Sequence, residues 1–98
     1  MDFGQALEAL KDGKAVARSG WNGKGMFLYL VPGSTVEFGQ LRGPAKTAAE
    51  MATVIENGEQ GSSRYINGHI DMKAADGTLV IGWLASQTDM LAEDWGVI

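Results

Sequence analysis

Six consecutive residues, Met26-Phe-Leu-Tyr-Leu-Val31, constrain the fold of this chain more than any other feature. The run is far too short to cross a bilayer, which takes about 20 apolar residues in a helix. Its residues favour strands, and apart from Tyr29 it shows no polar alternation. It therefore reads as a strand with both faces covered. Pro32-Gly33-Ser34 breaks it. A strand of this kind needs neighbours on its edges and layers on its faces.

The rest of the chain supplies them. Asp2 is placed to cap a helix, with Gln5 three residues on as in a capping box. Phe3, Ala6, Leu7 and Leu10 then form a buried stripe at helical spacing, and Gly13 ends it. Ala15 to Arg18 reads as a short strand and Ser19 to Gly25 as a turn. Thr35 to Phe38 reads as a further strand. Pro44 to Glu56 suits a helix with proline in its first turn and an apolar Met51, Val54, Ile55 group. Asn57 to Ser63 has loop composition, and Asn67-Gly68 is a turn pair. His69 to Lys73 alternates, and Ala75-Asp76-Gly77 predicts a hairpin into Thr78 to Trp83. Ser86 or Thr88 is placed to cap a last helix running to about Asp94, with Met90 and Leu91 facing the core. Trp95 to Ile98 closes the chain as a strand. Met26, Met51, Met72 and Met90 read as core filler. The expected fold is α+β: one domain over residues 1–98, its N-terminal helix packed on an antiparallel sheet, with a short C-terminal helix.

Composition narrows the function. Twelve acidic residues against eight basic ones give a net charge of −4, which argues against a general binder of long DNA or RNA. A small anion remains compatible, because a few placed donors outweigh a modest global charge locally. No cysteine is present, which removes thiol nucleophiles, disulfides and cysteine-ligated metals. The single histidine, His69, cannot build a histidine-rich zinc site within one chain. Asp2, Glu8, Lys11 and Asp12 in the first helix are unlike a secretory signal, so a cytoplasmic location without membrane attachment is expected.

Enzyme motifs are weak. Gly20, Gly23 and Gly25 fit neither a Walker loop nor a dinucleotide fingerprint, since the spacing is wrong and a strand follows. Ser86, His69 and Asp71 make a triad only on paper, without a nucleophile elbow. Asp89, Glu93 and Asp94 lie at helical spacing, where paired carboxylates hold a metal or transfer protons, but a solvated helix face is the simpler reading. No cofactor is expected.

A binding pocket is better supported. In Arg18-Ser-Gly-Trp-Asn-Gly-Lys-Gly25 a tryptophan stands between two cations among three glycines. A second aromatic segment runs from Trp83 to Trp95. Trp21, Tyr29, Trp83 and Trp95 offer stacking area, Arg18 and Lys24 suit phosphates, and Asn22, Ser86, Gln87 and Asp89 suit base or ribose edges. Packing is the competing role of each aromatic, most of all for Trp95, and a first-turn helix carboxylate is that of Asp89.

These segments resemble the Thoeris anti-defence two family, small phage and prophage proteins. The resemblance rests on Asp2 to Gly13 leading into Arg18 to Met26, then on His69-Ile-Asp-Met-Lys73, Gly82-Trp83 and Ser86 to Trp95. It covers roughly residues 2–31 and 69–98, leaving residues 39–68 unmatched. It implies a non-catalytic sponge that sequesters cyclic ADP-ribose isomers made by bacterial immune enzymes. For some members it also implies binding of cyclic dinucleotides from cyclic-oligonucleotide defence (CBASS) at a separate place. It further implies homotetramers with pockets at subunit boundaries. By position, Trp21 and Trp83 would stack the base, Arg18, Asn22 and Lys24 would serve phosphate or ribose, and Gln87 and Asp89 the polar edge. Two alternatives stay open: an enzyme degrading the same nucleotide, and an inhibitor that binds a defence enzyme directly.

Overall fold

The computed structural model describes residues 1–56 and 63–98. These fall into two compact units, one formed by Met1–Pro32 with Gly68–Ile98 and the other by Gly33–Asn67.

The first unit opens with α1 (Phe3–Lys11). Asp2 accepts from the Gln5 amide while the Gln5 side chain accepts from the Asp2 amide, the reciprocal capping box expected from sequence. A five-stranded antiparallel sheet comes next, built from β1 (Val16–Arg18), β2 (Phe27–Val31), β5 (His69–Lys73), β6 (Leu79–Val80) and β7 (Trp95–Val97) in the order β6-β5-β2-β1-β7. The apolar run thus becomes the central strand. Leu28 is fully buried and packs with Val16, Ala6, Ala9, Leu10 and Trp95, with Leu30, Ile70 and Met72 around them. Side chains alternate along a strand, so Phe27, Tyr29 and Val31 occupy the opposite face. The α+β architecture is as the sequence predicts.

The register of β1 on β7 decides which distant segments meet. Val16 pairs with Val97, Ala17 with Gly96 and Arg18 with Trp95. Paired residues share a face, so the two tryptophan segments come together at this edge although about 75 residues separate them.

Three expectations change with the structure. The last helix, α3 (Gln87–Leu91), ends well before Asp94, and Met90 and Leu91 are exposed instead of facing the core. A five-residue helix presents too little surface for an apolar stripe, and Ser86 capping the Asp89 amide anchors it instead. The strand after the hairpin stops at Val80, short of Trp83. Met51 and Met90 are exposed, whereas Met72 does pack against the core.

The second unit pairs β3 (Ser34–Glu37) with β4 (Ser63–Ile66), carries a 3₁₀ turn over Phe38–Gln40, and contains α2 (Gly43–Ile55) with proline in its first turn. Thr53 and Ala49 are buried, and Arg64 donates to Thr53 Oγ1 and to Glu56. Met51, Val54 and Ile55 lie exposed. Of the loop expected from Asn57, residues 57–62 lie outside the described residues.

Candidate functional site

Trp95 is the hub of the site. It is almost fully buried, and its ring meets Phe3 at 5.5 Å, Trp21 at 5.3 Å and Trp83 at 6.2 Å between centroids. Phe3 also touches Trp83, at 6.3 Å. The contacts of Trp95 with the other two tryptophans are edge-on, the geometry that ring quadrupoles favour. The Trp95 indole donates to the Asp89 carbonyl at 3.0 Å, which ties the last turn of α3 to β7. Trp95 is thus the core residue its position suggested. Trp21 and Trp83 flank it and stay half-buried, so each keeps part of its surface open to solvent.

A charged network stands beside the rings. Arg18 Nε donates to Asp94 Oδ1 at 2.8 Å and Nη1 to Asp89 Oδ1 at 2.7 Å. The same Asp89 oxygen accepts the Trp21 indole N–H at 3.0 Å. Asp94 Oδ2 accepts the Gly20 amide at 2.7 Å. A β-carbon at residue 20 would also lie 2.7 Å from that oxygen, so the close approach requires glycine. The two acids therefore converge on one arginine from different places, Asp89 from α3 and Asp94 from the loop before β7. They do not form the solvated helix face that their spacing implied. Lys73 holds the far end of the turn by donating to the Gly25 carbonyl at 2.9 Å.

The electrostatics follow from these bonds. Hydrogen bonding from Arg18, aided by the Gly20 amide, outweighs desolvation and holds the Asp94 carboxyl below the usual range. Burial alone would push Asp89 upward, but hydrogen bonds from Trp21, Arg18 and Ser86 outweigh it and hold that carboxyl low as well. Asp94 and Asp89 together raise Arg18 above its ordinary value, so it stays cationic at any physiological pH.

Of the residues singled out from sequence, the fold brings Arg18, Trp21, Trp83, Ser86 and Asp89 together around Trp95. Ser86 acts as the cap of α3. Asn22, Lys24 and Gln87 are exposed. Tyr29 lies on the other face of the sheet, against Phe27 at 6.3 Å, apart from the tryptophan cluster. Asp94, Gly20 and Phe3 belong to the site but were not among the ligand-binding candidates: Asp94 was weighed only with Asp89 and Glu93 as paired carboxylates, Gly20 only as a turn glycine and Phe3 only as a core residue of the first helix. The paper triad is not joined: Ser86 Oγ accepts from the Asp89 amide, His69 meets Asp71, and no hydrogen bond links Ser86 to His69 among the described residues. Those residues hold no cluster of three or more potential metal ligands, and none of their helices is long and apolar enough to cross a membrane.

All of residues 1–98 match the family described as Thoeris anti-defense 2-like domain. The chain belongs to that family. It is also similar to a protein named Thoeris anti-defense 2 from Bacillus phage SP01, at 40% identity over 103 residues, covering 100% of this chain and 94% of the relative. The family match runs through residues 39–68, which the motif resemblance left unmatched.

Proposed function

We propose that this protein acts against Thoeris defence as a non-catalytic sponge for a cyclic ADP-ribose isomer, inside the infected bacterial cell. Family membership supports the anti-defence role. The observation that carries the ligand class is the pair of half-buried indoles, Trp21 and Trp83, mounted on a buried third one. Rigid aromatic faces stack a base, and stacking is worth about 1–3 kcal/mol per base. Holding the rings in advance lowers the ordering cost of binding, which a sponge needs if it is to outcompete an immune effector.

The geometry refines the roles. The Arg18 guanidinium is engaged by two carboxylates, so its task in this reading is to hold Asp89, which in turn fixes Trp21. Exposed Lys24 is then the cation that meets phosphate, and Asn22 and Gln87 are the polar groups that reach ribose or base edges. Cyclic dinucleotides form a second ligand class in this reading. Assembly as a homotetramer completes it. Leu79, Ile81, Leu84, Leu91 and Ile98 are all exposed, and apolar surface of that kind on a small domain suits self-association.

Calorimetric titration with glycocyclic and unmodified cyclic ADP-ribose isomers and several cyclic dinucleotides tests this. Nanomolar binding, with intact ligand recovered after heat denaturation, is the expected result. Converted product would replace the sponge with an enzyme. Silence across the panel would favour direct inhibition of a defence enzyme. Light scattering on the eluting protein checks the tetramer.

A further inference from the structure

The segment that carries Trp83 has little packing of its own. β6 ends at Val80, and Ile81 and Leu84 on either side are 67% and 90% exposed. Two bonds to β5 tie the segment down. The Trp83 amide donates to the Ile70 carbonyl at 2.7 Å, a backbone bond open to any sequence. The Gly82 amide donates to Asp71 Oδ1 at 2.8 Å, which needs a side-chain acceptor at position 71 and is stronger when that acceptor is charged. Gly82 has φ +82°, the turn that lets the chain leave the sheet at this point.

Asp71 is an unusual choice for the middle of a strand. Its side chain is fully buried, yet both its bonds converge on Oδ1, from Gly82 and from His69 Nδ1 at 2.7 Å. Oδ2 has no partner among the described residues. Burying a carboxylate is costly, and an orphaned oxygen adds to the cost. Packing alone would put an apolar residue there. His69 and Asp71 lie two apart on β5 and so share a face. Nδ1 donates this bond in the tautomer that carries its proton there.

We infer that Asp71 is the positioning residue of Trp83, with His69 fixing the carboxylate, so that His69, Asp71, Gly82 and Trp83 form one chain of contacts that sets the indole beside Trp95 before ligand arrives. The inference rests on Trp83 being a stacking residue of the sponge. It adds a requirement on His69 and Asp71, which lie outside the aromatic cluster.

Asp71→Asn keeps the volume and one acceptor oxygen but removes the charge, which weakens the bond from Gly82. Amide hydrogen exchange at Gly82 and Trp83 should accelerate about tenfold in this variant while the Leu28 amide keeps its protection, and affinity for glycocyclic ADP-ribose should fall about tenfold. In a Trp83→Ala background, Asp71→Asn should cost no further affinity, because it acts through that ring. His69→Ala should loosen the same two amides, and His69→Asn, whose amide donates from near the place of Nδ1, should restore them. Wild-type protection at Gly82 and Trp83 in Asp71→Leu, which keeps a similar size and removes the acceptor, would overturn the inference, as would an affinity loss that adds in full to Trp83→Ala. If the Asp71 variants fail to fold, equal protection in His69→Ala and His69→Asn overturns it. Absence of ligand binding in the unmodified protein would sink the sponge alone, since the exchange measurements still decide the clamp.

Discussion

Trp21 and Trp83 flank the same buried ring but are held in opposite ways. Trp21 is fixed at its own side chain, through an indole hydrogen bond to a carboxylate that Arg18 holds in turn. Trp83 makes no comparable side-chain bond among the described residues, and its backbone is strapped to β5. The first mount orients a ring directly. The second orients it through the path of the chain. A charge change should therefore disturb Trp21 sharply and locally, whereas Trp83 should respond to whatever loosens residues 81–84.

The largest effect expected is one that abolishes the comparison. Trp95→Ala removes the ring on which both mounts lean, along with the indole bond to the Asp89 carbonyl. Losing a buried tryptophan costs about 3–5 kcal/mol, a large share of the stability of a 98-residue domain. Urea denaturation should show a strongly lowered midpoint, and ligand affinity should fall with it. A wild-type midpoint would mean that Trp95 is not the hub.

Next come the two flanking rings themselves. Trp21→Ala and Trp83→Ala should each weaken cyclic ADP-ribose binding by about 5- to 150-fold, the range that follows from stacking energies, with far smaller losses of stability than Trp95→Ala. Asp89→Asn sharpens the contrast. It should cost about tenfold in affinity by weakening the acceptor of the Trp21 indole and its pairing with Arg18, while amide exchange at Gly82 and Trp83 stays unchanged. A loosened Trp83 segment in Asp89→Asn would show that the mounts are not separate.

How much of this could be read from sequence depends on the range of each interaction. The capping box of α1, the central strand and the hairpin at Asp76-Gly77 are local patterns, and each appears where expected. The meeting of Asp94 with Arg18 spans 76 positions and left no local trace. Helical spacing even pointed elsewhere, to a solvated face, because α3 was expected to extend three residues beyond Leu91. Asp71 did leave a signal: a histidine and an aspartate two apart on an alternating strand must share a face. Weighed only within a paper triad that was then set aside, the pair was not connected with the backbone before Trp83.

The smallest effect expected is the response of the Trp21 mount to acid. Asp89 and Asp94 have folded-state pKa values below the ordinary aspartate value of about 3.9. The stability they contribute is thus fully present above that value and is lost as pH falls through their lowered folded values. Arg18, raised above its ordinary value, stays charged throughout. Between pH 5 and pH 8 the network should therefore be unchanged, and the combined emission of Trp21 and Trp95, the two indoles left in a Trp83→Phe variant, should be flat. As pH falls below the ordinary aspartate range and through the lowered folded values, the carboxylates protonate, the Arg18 pairs weaken and the indole loses its charged acceptor, so the emission should shift. A transition between pH 5 and pH 8 would show that some other group controls the Trp21 mount.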